Sequence, residues 1–126
     1  MLSAHPTPRA SVLIVDDDAG VRDVCTVMLR SLGYRAHAES SGEEALESLD
    51  AATVELVLLD LEMPKMKGAE LLRTLKQNRP GVRVVVMSGR PSEDLRRYLA
   101  TGADAVIQKP FRLSELGFSI GSALSS

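Results

Sequence analysis

The chain has little that would suit it to several common tasks. Tryptophan is absent, and two tyrosines and two phenylalanines are its only aromatics, so no base-stacking platform for nucleic acid is expected. Cys25 is the sole cysteine, which excludes an internal disulfide and a cysteine-rich metal cluster and fits the cytoplasm best. The net charge of -2 gives no general electrostatic grip on nucleic acid or anionic lipid. No apolar run is long enough to span a membrane. Met1 to Ala10 holds two prolines and no apolar core, so it reads as a disordered leader, neither signal peptide nor anchor.

What remains is an ordinary globular composition, 44% apolar and 25% charged over 126 residues. That length suits one domain, and a chain near this size buries roughly two-thirds of its unfolded surface without staples.

The strongest local signal is Leu56-Val57-Leu58-Leu59-Asp60. An unbroken apolar run suits a strand buried on both faces. Met63-Pro64 and Gly68 then open a loop, which leaves Asp60 at the end of a central strand. Elsewhere Val12 to Val15 is strand 1, ending in Asp16-Asp17-Asp18. Val21, Val24, Cys25, Met28, Leu29 and Leu32 repeat at helical spacing, with Gly33 as the C-terminal cap. Cys25 lies on that stripe and reads as packing rather than a reactive thiol. Tyr34 to Ala38 is strand 2, near an edge. Ser41-Gly42-Glu43-Glu44 is a capping box for a helix carrying Ala45, Leu46 and Leu49. Strand 3 is Val54 to Leu59. Helix 3 begins near 66–68 and carries Leu71, Leu72 and Leu75. Val82 to Met87 is strand 4, followed by Ser88-Gly89. Pro91 to Ala100 is helix 4, with Leu95, Tyr98 and Leu99 inward and Arg96 and Arg97 outward. Ala103 to Gln108 is strand 5, followed by Lys109-Pro110-Phe111. Leu113, Leu116, Ile120 and Leu124 mark a last helix, weakened by Gly117 and Gly121, with Phe118 off its stripe.

Five strands alternate with five helices, which implies an α/β doubly wound parallel sheet with right-handed crossovers. In such a sheet the C-terminal strand ends share one edge. Asp16 with Asp17, Asp60, Ser88 and Lys109 can therefore meet. Carboxylates crowded together suit a hard divalent cation bound through oxygen, Mg²⁺ where a phosphate shares the site. Lysine supplies a point charge for a phosphoryl oxygen, and a serine hydroxyl can donate to another. Asp60 is then free to act as nucleophile, since carboxylates form acyl phosphates.

These motifs, Val15-Asp16-Asp17, the run Asp60 to Gly68, Ser88-Gly89, Gly102-Ala103-Asp104 and Lys109-Pro110-Phe111, resemble those of receiver domains of two-component response regulators. The likeness spans residues 11–124. It implies a flavodoxin-like (βα)5 fold with strand order 2-1-3-4-5. It implies a phosphoacceptor, Asp60, that takes its phosphoryl group from a histidine kinase or histidine phosphotransfer protein. It further implies Mg²⁺ held by Asp17, Asp60 and the backbone carbonyl of Glu62, with Asp16 assisting through water. Ser88 would be the switch hydroxyl, Lys109 the phosphate-pairing lysine, and Lys109-Pro110 a cis bond. Glu62 and Arg90, two residues past the acceptor and two past the switch hydroxyl, would tune hydrolysis; their opposite charges are expected to pair. Many receivers carry an aromatic three residues before the lysine, where this chain has Val106, and an aspartate before the loop glycine, where it has Lys67. Val106 puts the usual switch in question. Lys65 and Lys67 make the rim more basic.

Such a domain is not an enzyme beyond Mg²⁺-dependent self-phosphorylation and slow dephosphorylation. Its output partner or second copy would meet the face of helix 4, strand 5 and the last helix, where Tyr98, Arg96, Arg97 and Phe118 fall. Two other readings compete. Asp16-Asp17-Asp18 contains Asp-x-Asp, which looks like the nucleophile motif of haloacid-dehalogenase-type phosphatases, with Asp16 reacting. A receiver-shaped module that is never phosphorylated is the third. The chain is too short for a substrate cap, and the acidic set with Lys109 argues against the third.

Overall fold

A computed structural model describes residues 9–63, 68–89 and 96–125. In order these form β1 (Ser11–Val15), α1 (Ala19–Ser31), β2 (Arg35–Glu39), α2 (Gly42–Ala51), β3 (Leu56–Asp60), α3 (Gly68–Asn78), β4 (Arg83–Ser88), α4 (Arg96–Thr101), β5 (Ala105–Gln108) and α5 (Leu113–Ser125). The strands make one parallel sheet in the order β2-β1-β3-β4-β5, as expected. The readings on Met1 to Pro8, Lys65, Lys67, Arg90 and Leu95 lie outside the described residues.

The side-chain period of two along a strand builds two cores. Val12 and Ile14 of β1, Leu56 and Leu58 of β3, and Val85 and Met87 of β4 face α1 and α5. Leu13 and Val15, Val57 and Leu59, and Val84 and Val86 face α2 and α3. A strand with a core on each side must be apolar at every position. That is why β3 reads as an unbroken run, while the edge strand β2 keeps charged Arg35 and Glu39.

Local chemistry fixes the helix ends. Ser41 caps α2 by accepting the Glu44 amide at 3.2 Å, and the Glu44 carboxylate takes the Ser40 and Ser41 hydroxyls. Those hydrogen bonds hold the Glu44 carboxyl below the usual range. After α1, Gly33 sits at φ +91°, the left-handed conformation a glycine cap adopts. Cys25 is buried as read, and burial, with the nearby Asp16 charge, pushes its thiol up to about 11. A thiolate is therefore absent at neutral pH.

Three apolar positions depart from the sequence reading. Val24, Leu99 and Leu113 are exposed. A helix on a sheet buries one narrow stripe, and successive residues lie about 100° apart around it. Cys25 and Leu29 take the centre of the α1 stripe, leaving Val24 on its rim. On α4 the inward place goes to Tyr98, half-buried in the α2/α3-side core, and Leu99 turns out. On α5 Leu116, Ile120 and Ala123 are buried, and Leu113, the first residue, stays outside. Phe118 is off the stripe and exposed, as read.

Candidate functional site

The sheet ladder carries four strand ends to one edge. β3 pairs with β4 through Asp60 opposite Met87, and β4 with β5 through Ser88 opposite Gln108. The main chain then goes one step further: Leu61 donates to the Met87 carbonyl at 3.1 Å, and Lys109 to the Ser88 carbonyl at 2.7 Å. Asp16 extends β1 by donating to the Glu39 carbonyl at 3.2 Å. The side chains that follow the strands are thus held by regular backbone pairing.

Within this edge, Asp16 is 1% exposed, Asp60 3% and Ser88 0%. Buried carboxylates need partners. Lys109 supplies one: its Nζ donates to Asp16 Oδ2 at 2.9 Å and stands 3.4 Å from Asp60 Oδ1. Asp60 Oδ1 also accepts the Glu62 amide at 3.1 Å. Burial pushes the Asp60 carboxyl above the usual aspartate range. The Glu62 amide and Lys109 pull it down, and the Asp16 charge adds to the rise. For Lys109, burial disfavours the charge, but Asp16 and Asp60 more than offset it and the ammonium is held above its ordinary value.

The three consecutive aspartates divide the work. Asp16 faces inward to Lys109, and its second oxygen accepts the Asp18 amide at 2.9 Å. Arg22 donates to the Asp16 carbonyl at 2.7 Å, which ties this loop to α1. Asp17 stays exposed. Asp18 caps α1, taking the Gly20 and Val21 amides at 2.8 and 3.2 Å. A capping carboxylate is committed to the helix, which leaves the Asp-x-Asp phosphatase reading without its second group. One oxygen from each of Asp16, Asp17 and Asp60 lies within 4.8 Å of the others. Three hard oxygens so close could hold a divalent cation.

The structure brings Asp16, Asp17, Asp60 and Lys109 together and leaves Ser88 on the same sheet edge at the end of β4. The Lys109-Pro110 bond is cis. The pairing expected between Glu62 and Arg90 falls outside the described residues on the Arg90 side. The Glu62 carboxylate itself accepts the Ser88 hydroxyl at 2.5 Å and the Gly89 amide at 2.9 Å. Val106 is half-buried and packs on the same core as Tyr98. Sequence reasoning missed one residue's part. A Cβ built on Gly68 would lie 2.5 Å from the Asp60 carbonyl oxygen and 2.5 Å from Leu61 Cα. Gly68 is therefore a seat for the Asp60 backbone, not only a loop breaker.

Comparison with known proteins decides the family. The response regulator receiver domain family matches residues 12–120. The chain belongs to the response regulator receiver domains. The receiver is 36% identical over 111 residues to the DNA-binding response regulator MtrA of Mycobacterium tuberculosis, covering 87% of this chain and 48% of that protein. It is 34% identical over 106 residues to the cell cycle response regulator CtrA of Brucella ovis, covering 83% and 46%. The receiver thus spans about half the length of these curated relatives. Among solved structures it resembles a CheY-like receiver domain protein of Methanospirillum hungatei, with 32% identity, a TM-score of 0.84, and 92% and 94% of the two chains covered. Its fold is the flavodoxin-like fold of CheY, and its pocket of Asp16, Asp17 and Asp60 with Lys109 is of the phosphoacceptor kind found in two-component signalling. No helix among the described residues is long and apolar enough to cross a membrane.

Proposed function

We propose that Asp60 accepts a phosphoryl group from the phosphohistidine of a histidine kinase or histidine phosphotransfer protein. A carboxylate oxygen of Asp60 bonds to phosphorus, the phosphorus–nitrogen bond breaks, and the imidazole leaves with the electron pair and takes a proton. The observation that carries this reading is the convergence of three carboxylates and Lys109 on one strand-end edge, with Lys109 Nζ 3.4 Å from Asp60. We assign Lys109 to pair with one phosphoryl oxygen, and Ser88, once its hydroxyl leaves Glu62, to donate to another. Asp17, Asp60 and the Glu62 carbonyl are the groups we assign to Mg²⁺, with Asp16 assisting through water. The bound cation would offset charge on the transferring phosphoryl group.

We assign the donor protein to the face of α1. An apolar groove of about 590 Å³, lined by Val21, Val24, Met28 and Phe111, runs up to Lys109. Val24 and Val27 of α1 stand exposed beside it. The face of α4, β5 and α5, where Leu99 and Phe118 are exposed, we give to an output partner or second copy. We assign residues 11–124 to the receiver and the cytoplasm as its compartment. Arg9 and Ala10, read from the sequence as part of a leader, instead join the domain, Arg9 donating to the Gly33 carbonyl at 2.9 Å and the Ala10 carbonyl accepting the Arg35 amide at 3.2 Å.

Labelling with acetyl phosphate tests the reading. The natural chain should take up phosphate in Mg²⁺ and lose at least about tenfold of its rate in excess chelator, because the carboxylates repel the donor when uncompensated. Asp17→Ala should weaken Mg²⁺ binding and labelling together. Efficient labelling in chelator would contradict the metal assignment, and no labelling at all would contradict the acceptor.

The switch should be unusual in one respect. Val106 is small and β-branched, with few rotamers to exchange, so it cannot swing a ring inward. Phosphorylation should alter the loops at Asp60 and Ser88 and the Tyr98 region of α4, and leave β5 and α5 little changed. Amide chemical shifts with and without a phosphoryl mimic check this. Changes across Ala105 to Gln108 as large as those beside Asp60 would contradict it.

A further inference from the structure

Glu62 does more here than sit two residues past the acceptor. Its amide donates to Asp60 Oδ1 at 3.1 Å. One oxygen of its carboxylate, Oε1, accepts both the Ser88 hydroxyl at 2.5 Å and the Gly89 amide at 2.9 Å. The turn after β3 is thus tied to the end of β4 by a side chain as well as by the backbone bond from Leu61 to Met87. A serine hydroxyl carries a single proton to donate. In this arrangement that proton goes to Glu62. A phosphoryl oxygen on Asp60 is a second acceptor for the same proton, and the two cannot be served at once.

We propose that Glu62 is a latch on Ser88: a positioning residue whose carboxylate holds the buried hydroxyl until a phosphoryl group displaces it. The inference rests on the receiver reading of Asp60. Competition between the Glu62 carboxylate and the phosphoryl oxygens then sets how readily the site accepts its charge. The latch bond is charge-assisted, so it is stronger than a neutral one. Glu62 is exposed, so water competes and the hold is moderate. Glu62 also adds a negative charge near the incoming phosphoryl group, and a test has to separate that repulsion from the hydrogen bond.

Beryllofluoride with Mg²⁺ is a stable phosphoryl mimic, and its affinity can be read by calorimetry in the natural chain, E62Q, E62A, S88A and the E62A/S88A pair. E62A should bind the mimic about tenfold more tightly, the scale of one hydrogen bond to a charged group. E62Q keeps a carbonyl oxygen that can accept from Ser88 and Gly89, so its gain should stay below about threefold. In the Ser88→Ala background, Glu62→Ala should change affinity by less than about twofold, since no hydroxyl is left to release. Before any mimic is added, the Gly89 amide resonance should move in E62A and stay near its natural position in E62Q. Equal gains in E62Q and E62A, or a full gain without the Ser88 hydroxyl, would assign the effect to charge and overturn the latch. Binding by the natural chain with no effect in E62A overturns the latch alone. No binding by the natural chain overturns the receiver reading, and the latch with it.

Discussion

Asp60→Asn is expected to lose all phosphoryl uptake and at the same time to melt at a higher temperature than the natural chain. Loss of uptake follows because an amide oxygen is a poor nucleophile for phosphorus. The gain in stability follows from the balance of charges. At an effective dielectric of about 20, like unit charges within 4.8 Å of one another repel by at least about 3.5 kcal/mol, and opposite charges 3.4 Å apart attract by about 5 kcal/mol. Lys109 therefore roughly cancels the repulsion from Asp16 together with the solvent-screened share from exposed Asp17. Burial is what remains, and it disfavours the ionised carboxylate, the main reason the Asp60 carboxyl is held above its usual range. Asparagine has the same shape, keeps an oxygen for the Glu62 amide and Lys109, and carries no charge to bury.

The sign with pH follows. A carboxyl whose folded pKa is raised binds its proton more tightly when folded. Its favourable share of stability is complete below the unfolded pKa and is lost as pH rises through the raised value. The advantage of the asparagine variant should accordingly vanish in acid, grow from the ordinary aspartate range up to the raised folded pKa, and level off above it. Thermal melts across pH in chelator measure this, and Mg²⁺ should narrow the gap. A variant that melts lower at neutral pH would show that the Lys109 attraction outweighs burial. Labelling undiminished in Asp60→Asn would move the acceptor elsewhere.

Much of this is legible in the sequence alone. Leu56 to Leu59 announced a central strand because two cores leave no polar position in it, and the β-α alternation then forced one edge for Asp16, Asp60, Ser88 and Lys109. Helical spacing was less informative at the rims. It could not say that Val24, Leu99 and Leu113 stay exposed, because a stripe's width depends on how each helix lies on the sheet. Glu62 is legible as a neighbour of Asp60, but its grip on Ser88 is not. That contact depends on how the turn after β3 folds over the end of β4, which side-chain charge does not encode. Gly68 was visible as a loop glycine. What it touches is set by how closely α3 approaches the Asp60 backbone, and no periodicity encodes that distance.

Gly68→Ala should accordingly damage both fold and site. Its Cβ would stand 2.5 Å from the Asp60 carbonyl oxygen, 2.5 Å from Leu61 Cα and 3.1 Å from the Asp60 carbonyl carbon. All three are backbone atoms, so no rotamer change relieves the overlap. Gly68 opens the described part of α3 and is itself buried, as are Leu71, Leu72 and Leu75 behind it. The helix can withdraw only by unpacking those leucines. Otherwise the Asp60–Leu61 segment must shift. It is held by the strand ladder to β4 and by the Leu61 bond to the Met87 carbonyl. Overpacking of this kind costs about 1–3 kcal/mol. The usual helix preference for alanine over glycine, about 1 kcal/mol, works the other way and does not cancel it. A net loss of up to about 2 kcal/mol in urea unfolding is therefore expected. The effect on chemistry should be larger than the effect on stability. A displacement of about 1 Å at a reacting group can lower a rate about a hundredfold, and here the displaced atoms belong to the acceptor residue itself. Phosphoryl uptake from acetyl phosphate, measured on the folded fraction, should thus fall at least about tenfold. If Gly68→Ala keeps both its unfolding midpoint and its labelling rate, the approach of α3 to Asp60 is looser than these distances show, and the glycine serves the loop alone.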